Sequence, residues 1–334
     1  MTAGRLTLLA ALALAIAFPQ LMQALGAPFY ISLATRILIF ALAALSLDLI
    51  LGYGGLVSFG HAAFIGVGAY TVGILFHHDA MGIPLLGLPG TRSALIVWPL
   101  AVLLSGLFAL LIGALCLRTR GIFFIMITLA FAQMLFYLVV SLRQYGGEDG
   151  IPLWSRSTFG GWLDLESNTT LYYVCLAVLA LAVAAALRLV RSPLFQVIRG
   201  AKDNERRMIA LGYPVFRYQL AAFTLSGMLA GLAGVLLANA TGFVGPAYLE
   251  WVRSGELIVM VVLGGMGTVV GPVLGAAALL LLEEFIPLAL DAARAGWGEH
   301  WKIVLGPLLL AVVLVARQGL LGLLPAAWLA GKAR

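Results

Sequence analysis

Charged residues are scarce in this chain. Asp, Glu, Lys and Arg make up 10% of its 334 residues, whereas soluble domains contain roughly 25%. Apolar residues make up 63%, so most side chains must contact lipid or other apolar helices. This shortage of charge excludes a soluble globular domain. It predicts an all-α polytopic membrane protein, because helices satisfy their own backbone hydrogen bonds in lipid.

Cysteine is also scarce, and no catalytic motif occurs in the sequence. The two cysteines, Cys116 and Cys175, lie in apolar runs at no metal-ligand spacing, which supports neither a disulfide framework nor a zinc site. The chain has no G-x-x-x-x-G-K-[ST] phosphate-binding loop and no nucleophile paired with a base. The sequence therefore predicts no catalytic residue, no metal and no cofactor. If ATP energises this protein, another subunit hydrolyses it.

Apolar runs of the length that crosses a bilayer, about 20 residues, recur along the chain. The first run follows Arg5 and resembles a signal peptide, but it is long enough to be a retained span. We expect about 8–10 transmembrane helices, with spans at 6–25, 33–51, 56–76, 94–116, 121–142, 169–190, 219–242, 255–270, 271–287 and 301–317.

The longest polar segment is 191–219, with six basic and two acidic residues. Basic loops of this length stay in the cytoplasm. Counting spans from this loop places thirteen of the 20 Lys and Arg residues on the cytoplasmic side, including Lys332 and Arg334. Both termini are then cytoplasmic. The net charge of +6 reflects this topology, and no nucleic-acid partner is predicted.

Two glycine-rich breaks interrupt the spans, both on the cytoplasmic side. The residues singled out are Gly52, Gly54, Gly55, Ser58, Gly60, His61 and Gly66 in the first break, and Gly264, Gly265, Gly267, Gly271 and Pro272 in the second. Small residues at helical spacing allow close helix packing. In the first break this packing is one interpretation; the other is that Ser58 and His61 line a substrate path, although His61 could also bond a neighbouring helix.

The second break divides 255–287 into two pieces, each expected to be shorter than a full span. A broken pair of spans and a re-entrant hairpin both fit, and neither would face lipid. The two breaks could be halves of a parallel repeat, although their residues match poorly. Asp48 and Glu256 are interpreted as locally solvated charges near an interface, and Glu283 and Glu284 as the end of the last broken piece.

The polar segment 191–219 contains two predicted helices. Ser192-Pro193 has the residues of an N-cap and first helical position. A second helix is expected to start at Asp203 or Asn204 and to stop at Gly212. On that helix Met208 and Leu211 share a face, with Ile209 beside it. Such an apolar ridge flanked by charge fits a groove on another protein; the alternative is an amphipathic helix on the lipid surface.

Taken together, these motifs resemble the permease subunits of branched-chain amino acid ABC importers. Three stretches carry the likeness: the Gly52–Tyr70 run; Arg-Ser-Pro at 191–193 with Asp-Asn-Glu-Arg at 203–206 and Ala-Gly-Leu-Ala-Gly at 230–234; and Leu-Gly-Gly-Met-Gly-Thr at 263–268 with Gly-Pro-Val-Leu-Gly at 271–275. Ser58 and the Asn204-Glu205-Arg206 run favour the M-type subunit over its H-type partner. Phe195-Gln196 departs from the Gly-Arg usual in the family.

The resemblance implies one transmembrane permease domain over 1–334, with 191–219 as its coupling loop, in the inner membrane of a bacterium. It implies ATP-driven import of branched-chain or related amino acids, with three kinds of partner: a second, H-type permease, two cytoplasmic ABC ATPases and an extracytoplasmic substrate-binding protein. The expected ATPase-coupling residues are Arg199, Asp203, Asn204, Glu205, Arg206, Arg207, Met208, Leu211 and Gly212.

Other functions remain open from the sequence. Urea or short amides are alternative substrates, because related permeases share these motifs. A stand-alone channel or secondary carrier would need no ATPase. An intramembrane enzyme is the third possibility, and the missing catalytic residues argue against it.

Overall fold

The computed structural model describes residues 3–84, 87, 89–161, 163–293, 296–315 and 319–323. In these residues the chain forms eleven α-helices: α1 (Ala3–Ala24), α2 (Phe29–Leu51), α3 (His61–Met81), α4 (Ala94–Cys116), α5 (Ile122–Ser141), α6 (Asn168–Leu189), α7 (Pro193–Ala210), α8 (Val215–Thr241), α9 (Trp251–Gly264), α10 (Gly271–Ala293) and α11 (Trp301–Val315). Two short strands, β1 (Ile151–Pro152) and β2 (Phe243–Val244), pair antiparallel.

Helix α2 lies at the centre of the fold. Every side chain from Ile39 to Leu51 is buried, as expected for a helix that is apolar on all sides. Helix α8 packs against α2, α3 and α4. By contrast, α4, α5 and α6 expose an apolar face, with Leu103, Phe123 and Leu181 among its side chains. Such a face fits lipid.

The helix bundle has two distinct ends. We call the end that carries 191–213 the loop end, and the end that carries β1 and β2 the sheet end. The N-terminal helix α1 runs antiparallel to α6, because Gln23 near its C-terminus bonds Thr169 at the start of α6. Residues 319–323 return to the loop end, where Gly319 lies against Gly265.

The predicted all-α membrane fold is confirmed. Six described helices are long and apolar enough to cross a membrane: α2, α4, α5, α6, α8 and α10. The ten predicted spans correspond to the ten helices other than α7. Residues 316–317 of the last predicted span, together with Lys332 and Arg334, lie outside the described residues.

Two boundary predictions are wrong. Residues 56–60, predicted as the start of a span, are not helical, and α3 begins only at His61. Glycines flank this segment and no side chain caps α3, so nothing local favours helix before His61. Glu283 and Glu284 do not end the last broken piece, because α10 continues to Ala293 and is 23 residues long.

Candidate functional site

The two glycine-rich breaks meet at the loop end. Gly52 follows α2, and Gly267 lies between α9 and α10. A Cβ atom on Gly52 would overlap both the Asp48 carboxylate and the backbone of Gly267. Gly267 also has a φ of +71°, which favours glycine. Only glycine at these positions allows the two chain segments to approach so closely.

Asp48 joins the two breaks. Its Oδ1 atom accepts a hydrogen bond from the Gly267 amide at 2.8 Å, and its side chain is 0% exposed. The interpretation of Asp48 as a solvated interfacial charge is therefore wrong. A carboxylate that accepts backbone N–H bonds can remain in a protein interior, but this partner lies 219 residues away and leaves no local signal.

The second break is held by Thr268. Its hydroxyl donates to the Gly265 carbonyl at 2.7 Å and accepts from the Gly271 amide at 3.0 Å. A Cβ on Gly264 would overlap the Gly271 carbonyl, so α9 and α10 pack backbone to backbone. Pro272 is the second residue of α10, where its missing N–H costs no helical hydrogen bond. The 14-residue α9 is the short piece of the predicted broken pair.

The first half of α7, residues 193–203, docks onto the first break. The Lys202 ammonium donates to the Gly52 carbonyl at 2.7 Å. Phe195 is fully buried and contacts the Tyr53 ring edge to face, with ring centres 6.0 Å apart. The Arg199 guanidinium lies 4.8 Å from the centre of the Tyr53 ring. These contacts fasten the loop to the end of α2.

Tyr53 remains neutral in this contact. Burial raises the pKa of its phenol to about 12, and the nearby Asp48 carboxylate adds to the rise. At neutral pH the contact with Arg199 is therefore a cation–π interaction rather than an ion pair.

The second half of α7, residues 205–210, begins where the sequence predicts. Asn204 has non-helical torsion angles, φ −157° and ψ 97°, and divides α7 at a kink. Its side-chain oxygen accepts a hydrogen bond from the Arg207 amide at 3.0 Å, as an N-cap does. Gly212 follows the helix with a φ of +89°. The predicted capped helix and its glycine stop are confirmed.

The apolar ridge on this second half differs from the predicted one. Met208 packs back over Gly200, whereas Ile209 and Leu211 are 52% and 64% exposed. Asp203, Arg206 and Arg207 are exposed as well. Glu205 pairs with Arg120 of the α4–α5 connection at 2.8 Å. Ile209 and Leu211, rather than Met208 and Leu211, therefore form the exposed apolar ridge.

A cleft of about 260 Å³ opens at the loop end between the first break, the α4–α5 connection and α7. Gly54 and Gly55 line one side of it, and a Cβ on Gly55 would lie 3.2 Å from the Lys202 side chain. Glu205 and Arg120, which form an ion pair with each other, also line the cleft. Gly54 and Gly55 were predicted to lie on the substrate path, and Glu205 was predicted to couple to an ATPase. The structure brings all three into one cleft.

Ser58 and His61 are fully buried instead of lining this cleft. The Ser58 hydroxyl accepts a hydrogen bond from the Gly60 amide. His61 Nε2 lies 2.8 Å from the Ser46 hydroxyl of α2, and Ser226 of α8 donates to the Ser46 carbonyl. In this conformation His61 links α3 to the neighbouring helix α2. This is the second of the two interpretations that the sequence allowed for His61, the first being a place on the substrate path.

Gly60 and Gly66 have packing roles. A Cβ on Gly60 would overlap the Thr128 carbonyl of α5, and one on Gly66 would overlap the Leu249 side chain. The close helix packing that the small residues of this stretch predict is therefore present.

Sequence reasoning missed three residues of this site: Asp48, Arg120 and Lys202. Their partners lie 219, 85 and 150 residues away, so no periodic or motif signal marks them. Phe195 could have been noticed from the sequence, because the family that the motifs resemble usually has glycine at this position. Its burial against Tyr53 accounts for the larger side chain.

Comparison with known proteins agrees with the family that the sequence motifs resemble. Residues 29–313 match the family described as the permease component of the branched-chain amino acid transport system. The chain is 30% identical to the high-affinity branched-chain amino acid transport system permease protein LivM of Salmonella typhimurium strain LT2, and 29% identical to LivM of Escherichia coli K12. Each alignment covers 95% of this chain and 75% of the relative.

The likeness to the corresponding LivH protein of Escherichia coli K12 is shorter. It is 29% identical over 157 residues, which is 47% of this chain and 49% of LivH. No solved structure matches the chain. The greater coverage by LivM agrees with the M-type motifs. The chain is a multi-pass membrane protein and belongs to the family of branched-chain amino acid transport permeases.

Proposed function

We propose that this chain is the M-type permease subunit of an ABC importer that moves branched-chain or related amino acids into a bacterial cytoplasm. The observation that carries the proposal is the division of α7. Its first half is fastened to the first glycine break, and its second half presents a capped, exposed helix. An element of this kind can transmit movement from a partner protein to the membrane helices.

The assembly in this proposal has four kinds of subunit. A second permease, similar to LivH, pairs with this chain in the inner membrane. Two cytoplasmic ABC ATPases supply the hydrolysis for which this chain has no phosphate-binding loop. A substrate-binding protein delivers amino acids at the sheet end. The excess of basic residues on the loop side supports a cytoplasmic loop end and cytoplasmic termini.

In the coupling mechanism, an ATPase engages the second half of α7. Movement passes through Phe195, Arg199 and Lys202 to the first break. It continues through Asp48 to Gly267, so both breaks respond together. Helices on either side of a break can then tilt as rigid bodies and switch the permease between outward-open and inward-open states.

Charge reversal on α7 tests this proposal. In the complete complex reconstituted in liposomes, we expect Glu205→Arg combined with Arg206→Glu to lower leucine uptake at least tenfold. Substrate-loaded binding protein should then no longer stimulate ATP hydrolysis. Arg191→Glu, an exposed reversal outside the second half of α7, serves as the matched control. Unchanged uptake and ATPase stimulation in the double variant would refute the coupling role.

The same preparation separates this proposal from an ATP-independent channel or carrier. A lone homo-oligomer whose leucine uptake is indifferent to ATP would support the channel or carrier instead. Competition by urea or acetamide during binding to the partner binding protein distinguishes the amide alternative from amino acids.

A further inference from the structure

A group of charges lies at the depth of the membrane, away from the loop end. The Arg253 guanidinium of α9 is 5.9 Å from the centre of the Phe40 ring, and Phe40 is close to the middle of the 23-residue α2. Arg253 donates to Glu256 at 2.7 Å. Glu283 of α10 interacts electrostatically with this pair and with Arg36, which lies one turn before Phe40. We call these four residues the charged site.

The charged site cannot face lipid. The side chains of Arg253 and Glu256 are 34% and 32% exposed, and Arg36 is exposed. A charge at the centre of a bilayer costs about 3 kcal/mol on insertion scales, so such groups face a water-filled cavity or other protein. Helix α4 shows the contrast, because its exposed residues at a similar depth, such as Leu103, are apolar.

The surroundings of the charged site fit an apolar amino acid. Two guanidinium groups can bind a carboxylate, and two carboxylates can bind an ammonium group. Val252, which is 46% exposed, projects from the same side of α9 as Glu256, four residues later. An apolar side chain could pack on Val252 while its main-chain charges meet the site.

We propose that Arg36, Arg253, Glu256 and Glu283 recognise the carboxylate and ammonium groups of a zwitterionic, apolar amino acid on its path through the membrane. This inference rests on the proposed function, since it places the substrate of that importer. It assigns selectivity to this chain as well as to the binding protein. Neither Glu256 nor Glu283 was expected at such a site from the sequence.

Paired substitutions separate recognition from a purely structural ion pair. In the reconstituted complex, we expect Glu256→Gln to lower leucine uptake at least tenfold. ATP hydrolysis should remain stimulated by loaded binding protein. The exchange of both charges, Arg253→Glu with Glu256→Arg, should likewise leave the complex assembled but should not restore uptake. Asp79→Asn, which removes a partly exposed ion pair with Arg92 at the sheet end, should leave uptake unchanged.

Two results would overturn the inference: normal uptake in Glu256→Gln, or normal uptake in the exchanged pair, which would show a structural ion pair only. Should the variants fail to assemble, cysteine labelling decides. Val252→Cys beside Arg253 should react with a charged, membrane-impermeant thiol reagent, and leucine should slow the reaction. Leu103→Cys on the apolar face of α4 should not react. An unreactive Val252→Cys variant would place this face in lipid and refute the site.

The labelling also separates the inference from the proposed function. If the complex shows no ATP-driven leucine uptake, the importer proposal fails whatever the labelling shows. If uptake is present but leucine does not protect the thiol of the Val252→Cys variant, only the charged site fails.

Discussion

The two halves of α7 meet the rest of the protein in opposite ways. Residues 193–203 bury Phe195 and Ile198 and place Lys202 on the Gly52 carbonyl. In residues 205–210, Glu205 pairs with Arg120 of the α4–α5 connection, while Ile209 is 52% exposed. Both halves are polar helices in the same loop. The difference shows that one half anchors the loop and the other is available to a partner.

This comparison predicts that substitutions in the anchoring half change stability, whereas those in the exposed half change coupling. Exposed substitutions away from special contacts usually shift stability by less than about 0.5 kcal/mol. Losses in a buried core reach several kcal/mol. The variants below test this division in order of expected effect.

Gly52→Val should have the largest effect, because its Cβ would overlap the Asp48 carboxylate and the Gly267 backbone. Overpacking costs about 1–3 kcal/mol where neighbouring side chains can move aside. The backbone of Gly267 cannot move aside in this way, so the cost should be larger. We expect little folded protein by size-exclusion chromatography of detergent extracts. Gly306→Val is the control, since no atom lies near its Cβ. A normal yield of folded Gly52→Val would contradict the close meeting of the two breaks.

Phe195→Ala should come next. Removing a fully buried phenylalanine costs about 3–5 kcal/mol, so the permease should unfold at a clearly lower temperature in detergent. Phe216 is 38% exposed, and Phe216→Ala should change the melting temperature much less. Equal shifts for the two variants would show that the first half of α7 does not anchor the loop.

Lys202→Met keeps most of the side-chain stem but removes the donor to the Gly52 carbonyl. Hydrogen bonds from charged groups contribute about 1.5–3 kcal/mol, and because Lys202 is exposed the expected loss is at the low end. Thermal unfolding measures it, with Lys302→Met as the exposed control. A melting temperature identical to that of the control would show that this bond does not stabilise the docked loop.

Asn204→Ala should have the smallest effect on overall stability. Losing an N-cap costs about 1 kcal/mol, and the loss falls on the exposed helix alone. Hydrogen exchange should therefore speed up at the amides of residues 205–210, while the melting temperature of the bundle stays constant. Asn204→Asp retains a capping oxygen and should exchange like the wild type. Unchanged exchange in Asn204→Ala would contradict the cap.

Local patterns predicted the features that depend on local chemistry. Apolar length identifies ten of the described helices, six of which are long and apolar enough to cross a membrane. The Asn204 cap with Gly212 identifies the exposed helix. Contacts between distant residues were not predictable, as Asp48 with Gly267 shows. The charged site was missed for a related reason. Glu256 and Glu283 lie near predicted span ends, and only the packing of α9 against α10 brings Glu283 close to Glu256 and Arg253.

The most direct test of the account adds charge separately to the two halves of α7. Ile209→Asp with Leu211→Asp changes the exposed ridge, and Gln196→Asp adds charge to an exposed position on the anchoring half. Each permease is purified from cells that express the complete complex, and the retained ATPase is measured. We predict that the double variant keeps its melting temperature but loses the ATPases, whereas Gln196→Asp retains them. A folded double variant that retains the ATPases and transports leucine normally would contradict the account.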